Sequence, residues 1–220
     1  MQVISVNPRE PKPERIETAV ESLRAGAVVA IPTETFYGLA VDSSQPRAVA
    51  RLNRLKSKDR RSPVLLLAAD GLQVERISAV LPASFESLAG AFWPGPLTLV
   101  VHAAVGLSPE ITGGRDTVAV RVPGLALPRM LAGRLGHPIT GVSANLHEQP
   151  PPRTAREVAE SFAEGVDLLL DGGATPGGGP STLLDLTHEK PRILRAGRVQ
   201  EASLRNFVPD LEAAPPRTAL

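Results

Sequence analysis

The chain has 220 residues, 42% of them apolar and 21% charged, and its 24 basic against 23 acidic residues leave a formal charge of +1. That length and balance suit a folded unit with a sizeable core and argue against wholesale disorder, and near-neutrality argues against coating a long polyanion by charge alone. Cysteine is absent, which excludes disulfides, thiolate nucleophiles, iron–sulfur clusters and cysteine-based zinc sites.

The first residues, Met1 to Glu10, hold no apolar run of signal-peptide length, and the longest apolar stretches, near 64–69 and 97–101, are too short to span a bilayer. A soluble cytoplasmic protein is expected. Ile16, Ala19, Val20 and Leu23 recur at helical spacing, with Gly26 as a stop signal. The apolar run 27–31 predicts a buried strand ended by Pro32. A helix is expected over Pro46–Lys56 with Val49, Leu52 and Leu55 facing inward, then a buried strand over 63–67 and helices near 72–80 and 83–91. Strands are expected at 97–101, 118–122 and 138–142, with a helix at 127–135 between the last two. Thr154 and Glu157 have the spacing of a capping box opening a helix over 154–164. Strands at 166–170 and 182–186 and a short extended piece at 193–194 follow, and the Pro- and Ala-rich residues 209–220 read as a surface tail. Alternating strands and helices, several strands apolar throughout, favour an α/β layered fold with a mixed sheet.

The cations are unevenly placed. Lysine occurs only at 12, 56, 58 and 190, and the stretch Arg51–Arg61 holds six cations and one acid. Lys190, Arg192, Arg195 and Arg198 form a looser cluster. Spacing alone leaves two readings level: a solvated helix face with an exposed turn, or a site for a small polyanion. The glycines at 172, 173, 177, 178 and 179 follow a strand but lack the Gly-Lys-Ser/Thr ending of a P-loop and the dinucleotide spacing, which favours a turn. Histidines at 102, 137, 147 and 188 show no ligand spacing, so no dedicated metal site is expected.

Seven segments occur in order: Ile31-Pro32-Thr33-Glu34-Thr35-Phe36-Tyr37-Gly38-Leu39; Lys56-Ser57-Lys58 with Pro63; Phe92-Trp93-Pro94-Gly95-Pro96-Leu97-Thr98; Val118-Ala119-Val120-Arg121-Val122-Pro123; Ser143-Ala144-Asn145-Leu146; Pro180-Ser181-Thr182; and Leu194-Arg195. Together, from about Arg15 to Arg198, they resemble the YrdC-like family of L-threonylcarbamoyladenylate synthases. The resemblance implies a twisted, mixed β-sheet flanked by helices (α/β, or α+β by some schemes) around one concave cationic cavity. It implies a single-domain form, with residues 1–208 as the catalytic domain and 209–220 as the tail. The implied activity joins L-threonine, bicarbonate or CO2, and ATP into threonylcarbamoyl-AMP and pyrophosphate. Mg2+ would arrive with ATP. The product would pass to a tRNA threonylcarbamoyl transferase complex that modifies adenosine 37, with no stable nucleic-acid binding and no membrane.

The same resemblance implies roles. Lys56 and Lys58 would contact ATP phosphates and act catalytically, although Lys58 stands where the family has arginine, so the bidentate fork is lost. Arg121 would clamp the threonine carboxylate as a catalytic residue, with Thr35 and Ser181 also on threonine. Thr117, Ser143, Asn145 and Arg195 would bind ATP, Asn145 alternatively supporting its own loop. Thr33 has an equal claim to a turn role, and Trp93 reads as core and turn. The Ser181 assignment gives the preceding glycines a reason, close approach of backbone to a ligand. Two other functions compete: a relative of the same fold with another carbamoyl or nucleotide substrate, and an RNA-binding module. The charge of +1 and 3% aromatic content count against the RNA-binding module.

Overall fold

The structure, a computed structural model, describes residues 1–56, 62–146 and 149–213. Lys58, Arg60, Arg61, His147 and the end of the expected tail from 214 lie outside the described residues. The chain opens with β1 (Gln2–Ser5) and then α1 (Pro13–Arg24). Proline begins α1, where a missing N–H costs nothing, and all four apolar positions read from the spacing are buried. Gly26 follows at φ +80°. The next elements are β2 (Val29–Pro32), β3 (Tyr37–Ala40), α2 (Pro46–Leu55), β4 (Leu65–Leu67), α3 (Gly71–Ile77), β5 (Ser78–Val80), α4 (Ser84–Phe92) and β6 (Leu97–Ala103). Then come α5 (Pro109–Thr112), β7 (Thr117–Arg121), α6 (Ala126–Leu135), β8 (Ile139–Thr140), β9 (Val142–Ser143), α7 (Ala155–Ser161), β10 (Leu168–Asp171), β11 (Thr182–Asp185), β12 (Arg192–Arg195) and α8 (Glu201–Arg205). No described helix is long and apolar enough to cross a membrane.

The strands form two mixed sheets. One runs β1-β10-β2-β3-β9, the other β12-β11-β6-β7-β4-β8 with β5 beside β6. Both combine parallel and antiparallel pairs: in the first, β10 runs parallel to β1 and β2, whereas β3 is antiparallel to β2 and β9. The mixed character follows the sequence reading; the division between two sheets was not anticipated.

Two apolar clusters hold the layers together, and strand alternation sorts residues between them. Along β2, Val29 and Ile31 pack with Ile16, Val20 and Leu23 of α1 and Leu127 and Leu131 of α6. Ala30, on the other face, joins Leu39, Val49, Leu52, Leu66, Leu97, Leu99 and Val120. This two-faced burial is why β2 reads as a continuous apolar run. The expected capping box is present, with Thr154 accepting from the Glu157 N–H and Glu157 reaching back to the cap backbone.

Several boundaries depart from expectation. The helix expected to Val80 stops at Ile77, and Ser78 and Val80 pair with β6 instead. The strand expected over 138–142 is broken at Gly141, where the chain passes from one sheet to the other. A Cβ there would stand 2.5 Å from Leu67 Cγ, so only glycine admits this crossing. β1 and β3 were not foreseen, the first a short and largely exposed edge, the second containing glycine. The tail begins later than Pro209: Leu211 is buried, and Glu212 exchanges backbone hydrogen bonds with Pro191 and Ile193. An apolar anchor and a strand edge hold this segment where composition alone suggests release.

Candidate active site

Where the two sheets meet, a cavity of about 780 Å³ opens between the turn after β2, the end of α2, the end of β7, the segment 141–146 and the start of β11. Lys56, Thr35, Arg121, Ser143, Asn145, Ser181 and Arg195 all line it, so most of the site residues read from the sequence converge there. Thr117 does not line it. It lies on the same face of β7 as Ala119 and Arg121, at the opposite end of the strand, paired with His102. Lys58 falls outside the described residues. The lining includes three cations and, among the described residues, no aspartate or glutamate.

Lys56 caps the C-terminus of α2, where a cation complements the helix dipole. Its ammonium donates to the carbonyl oxygens of Ser143, at 2.8 Å, and Asn145. The Asn145 amide donates to the carbonyls of Leu146 and Gln149 at 3.0 and 2.8 Å. Lys56 and Asn145 therefore brace the backbone of Ser143, Asn145, Leu146 and Gln149 themselves, and the Ser143 side chain is left exposed on the lining.

On the opposite wall the Ser181 hydroxyl shares a 2.8 Å hydrogen bond with Thr98, and Arg195 donates to the Ser181 carbonyl and hydroxyl at 3.1 Å. Arg121 is 3% exposed. Burial pushes its guanidinium pKa down, and the Glu34 carboxylate 3.4 Å away pulls it back up. Burial also pushes Arg195 down, and the charge of Arg121 adds to that. Two like charges thus feel each other across the cavity wall, an arrangement that favours an anion between them.

The turn after β2 is organised by hydroxyls. Thr33 donates to the Phe36 carbonyl at 2.7 Å and shares a 2.9 Å hydrogen bond with Thr35, and both line the cavity. The Tyr37 hydroxyl donates to the Gly173 carbonyl and accepts the Gly172 N–H. Arg198 donates to the Glu34 carbonyl at 2.8 Å, and Arg153 to the carbonyls of Thr175 and Pro176 at 3.2 Å. The glycine loop is thereby tied to the threonine turn. None of its five glycines lines the cavity, which corrects the expectation that they let backbone approach a ligand. Four of them, Gly173, Gly177, Gly178 and Gly179, have positive φ instead. Trp93 also stays off the lining, donating to the Leu97 carbonyl at 2.7 Å and packing edge-on to Phe85. Glu34 and Tyr37 lie inside a quoted motif without an assigned role, and Arg198 was named only within a loose cationic cluster; the folded contacts give each a task.

The family model described as "Telomere recombination", covering Sua5, YciO and YrdC, matches residues 21–197. The chain belongs to the Sua5/YciO/YrdC family. Within it, the threonylcarbamoyl-AMP synthase of Pyrococcus abyssi is 37% identical over 96% of this chain and 63% of its own length. The one from Halorhodospira halophila is 38% identical over 73% of this chain and 84% of its own. The crystal structure of P. abyssi Sua5 complexed with L-threonine superposes with a TM-score of 0.93 at 35% identity, covering 98% of this chain and 63% of that one. This chain therefore spans less than two thirds of the Pyrococcus protein. The mixed α/β architecture expected from the sequence is that of the Sua5/YciO/YrdC family.

Proposed function

We propose that this chain is a nucleotidyltransferase that makes threonylcarbamoyl-AMP from L-threonine, CO2 or bicarbonate, and ATP, releasing pyrophosphate. The observation that carries the reading is the convergence of Lys56, Arg121 and Arg195 on one cavity whose described lining has no carboxylate. Family membership and relatives named threonylcarbamoyl-AMP synthase support it.

The chemistry asks for little covalent work from the protein. The threonine amine attacks the carbon of CO2, forming an N–C bond and releasing a proton to solvent. A carbamate oxygen then attacks the α-phosphorus. An O–P bond forms as the bond to the β-bridging oxygen breaks, and pyrophosphate leaves with the electron pair. Both reactants are anionic, so catalysis rests on holding them together and neutralising charge. Arg121 takes the threonine carboxylate, with Thr35 and Ser181 alongside. Lys56 and Lys58 take ATP phosphates, with Ser143 and Asn145 on the nucleotide; Thr117, off the lining, takes no part. Arg195 reaches the nucleotide from beside Ser181, which puts its charge near the join of the two substrates. Lys58 acts as a point charge in place of the family's arginine fork.

Mg2+ accompanies ATP in this reading. Among the described residues no three histidine, aspartate or glutamate side chains gather as a metal cage. The product passes to a tRNA threonylcarbamoyl transferase complex acting on adenosine 37, in the cytoplasm. A direct test feeds labelled bicarbonate with threonine and ATP and separates nucleotides by chromatography. Label should appear in an AMP adduct only when threonine is present. Label entering an adduct without threonine would assign the cavity to another acceptor.

A further inference from the structure

Thr33 and Thr35 line the cavity, but Glu34 between them does not. Its carboxylate points behind the wall, into space that Gly124 leaves open: a Cβ on Gly124 would stand 3.4 Å from Glu34 Cγ. Both carboxylate oxygens are buried and accept no hydrogen bond, and the Arg121 Nε is likewise buried without a partner. Glu34 Oε1 and Arg121 Nη1 lie 3.4 Å apart. The pair is therefore coupled by charge alone. Buried ion pairs ordinarily fill their remaining hydrogen-bond capacity, because unmet capacity is costly. The Glu34 backbone is fixed as well, by Arg198 at its carbonyl.

We propose that Glu34 is a positioning residue for Arg121 that selects zwitterionic amino acids over simple carboxylates. This rests on the reading of Arg121 as the amino-acid end of the site. Without Glu34, Arg121 and Arg195 present two uncompensated cations to that end, and any carboxylate profits. With Glu34 behind Arg121, a ligand of charge −1 meets a standing repulsion. An amino acid, whose ammonium offsets its carboxylate, largely escapes it. At a separation of about 10 Å and an effective dielectric of about 20, that difference corresponds to roughly tenfold in affinity. The buried oxygens keep Glu34 from touching substrate, so its effect passes through the field and through Arg121.

The test compares wild type, Glu34→Gln and Glu34→Asp by calorimetric dissociation constants for L-threonine and for 2,3-dihydroxybutanoate, which keeps the carboxylate and side chain but replaces the amine by a hydroxyl. Wild type should prefer threonine. Glu34→Gln, isosteric but neutral, should shrink that preference about tenfold, mostly through tighter binding of the hydroxy acid. Glu34→Asp keeps the charge and should keep the preference. An unchanged ratio in Glu34→Gln overturns the proposal, as does an equal loss in Glu34→Asp, which would mark a packing role. Wild type that fails to bind threonine overturns the functional reading and this inference together. Threonine binding with an insensitive ratio overturns only the role of Glu34. If Glu34→Gln does not fold, Arg121→Met added to it should restore the melting temperature by removing the stranded cation. A double variant as unstable as the single one overturns the proposal.

Discussion

Tyr37 is the chain's one tyrosine, and its hydroxyl bridges the Gly172 N–H and the Gly173 carbonyl. Burial, only partly offset by the Gly172 hydrogen bond, pushes its pKa up to about 12. A phenol held protonated by the fold stabilises it fully below the unfolded value of about 10, and that contribution is lost as pH rises through about 12. Ultraviolet titration should therefore show tyrosinate absorbance near pH 12 in the folded protein and near 10 in denaturant; coincident curves would contradict the bridge. Arg121→Ala removes charge-assisted hydrogen bonds of about 1.5–3 kcal/mol, so the threonine KM should rise roughly 10- to 100-fold. The ATP KM should change far less. Equal loss for both substrates would make Arg121 a structural residue. At this scale the sequence was informative where chemistry-bearing residues lie in a motif, as with Arg121, Ser143 and Ser181. It was silent on Glu34, because nothing local shows that a charged side chain turns away from the cavity its neighbours line.

The elements that carry these residues are fixed by a few contacts that can be tested separately. Asp167, just before β10, accepts the Val28 N–H at 2.8 Å and pairs with Arg51 of α2 at 2.6 Å. Burial alone would raise its pKa, but the Arg51 and Val28 hydrogen bonds outweigh it and hold the carboxyl below its ordinary value. The stability this gives is present above the unfolded carboxylate pKa of about 4 and lost as pH falls through the lower folded value. Asp167→Asn should lower the melting temperature at pH 7 and make little difference at pH 2. The two residues are about 40% exposed, so screening keeps the effect small. Gly197 is a tighter constraint: a Cβ there would meet the Pro180 carbonyl oxygen at 2.4 Å. Gly197→Ala should cost about 1–3 kcal/mol in denaturant unfolding and also raise both KM values, because the segment 180–182 that carries Ser181 into β11 must shift. Unchanged stability would show that the loop yields freely. Helix α1 was legible from its apolar periodicity and strand β2 from its unbroken apolar run. The break at Gly141 was not, because it depends on Leu67, distant in sequence.

For the whole molecule, composition marked out a folded chain, the alternation of strands and helices an α/β one, and ordered motifs its family, but none revealed that the strands divide between two sheets. That division makes the cavity, since cations from α2, β7 and β12 meet only where the sheets face each other. The near-neutral charge of +1 is thus compatible with a locally cationic pocket. The absence of cysteine is compatible with a reaction that needs placed charge and no protein nucleophile. The most direct measurement is pyrophosphate release by the purified protein with ATP, bicarbonate and threonine, omitting each in turn. Release should require all three and stop when either threonine or bicarbonate is withheld. Release that continues without threonine would contradict the proposed function.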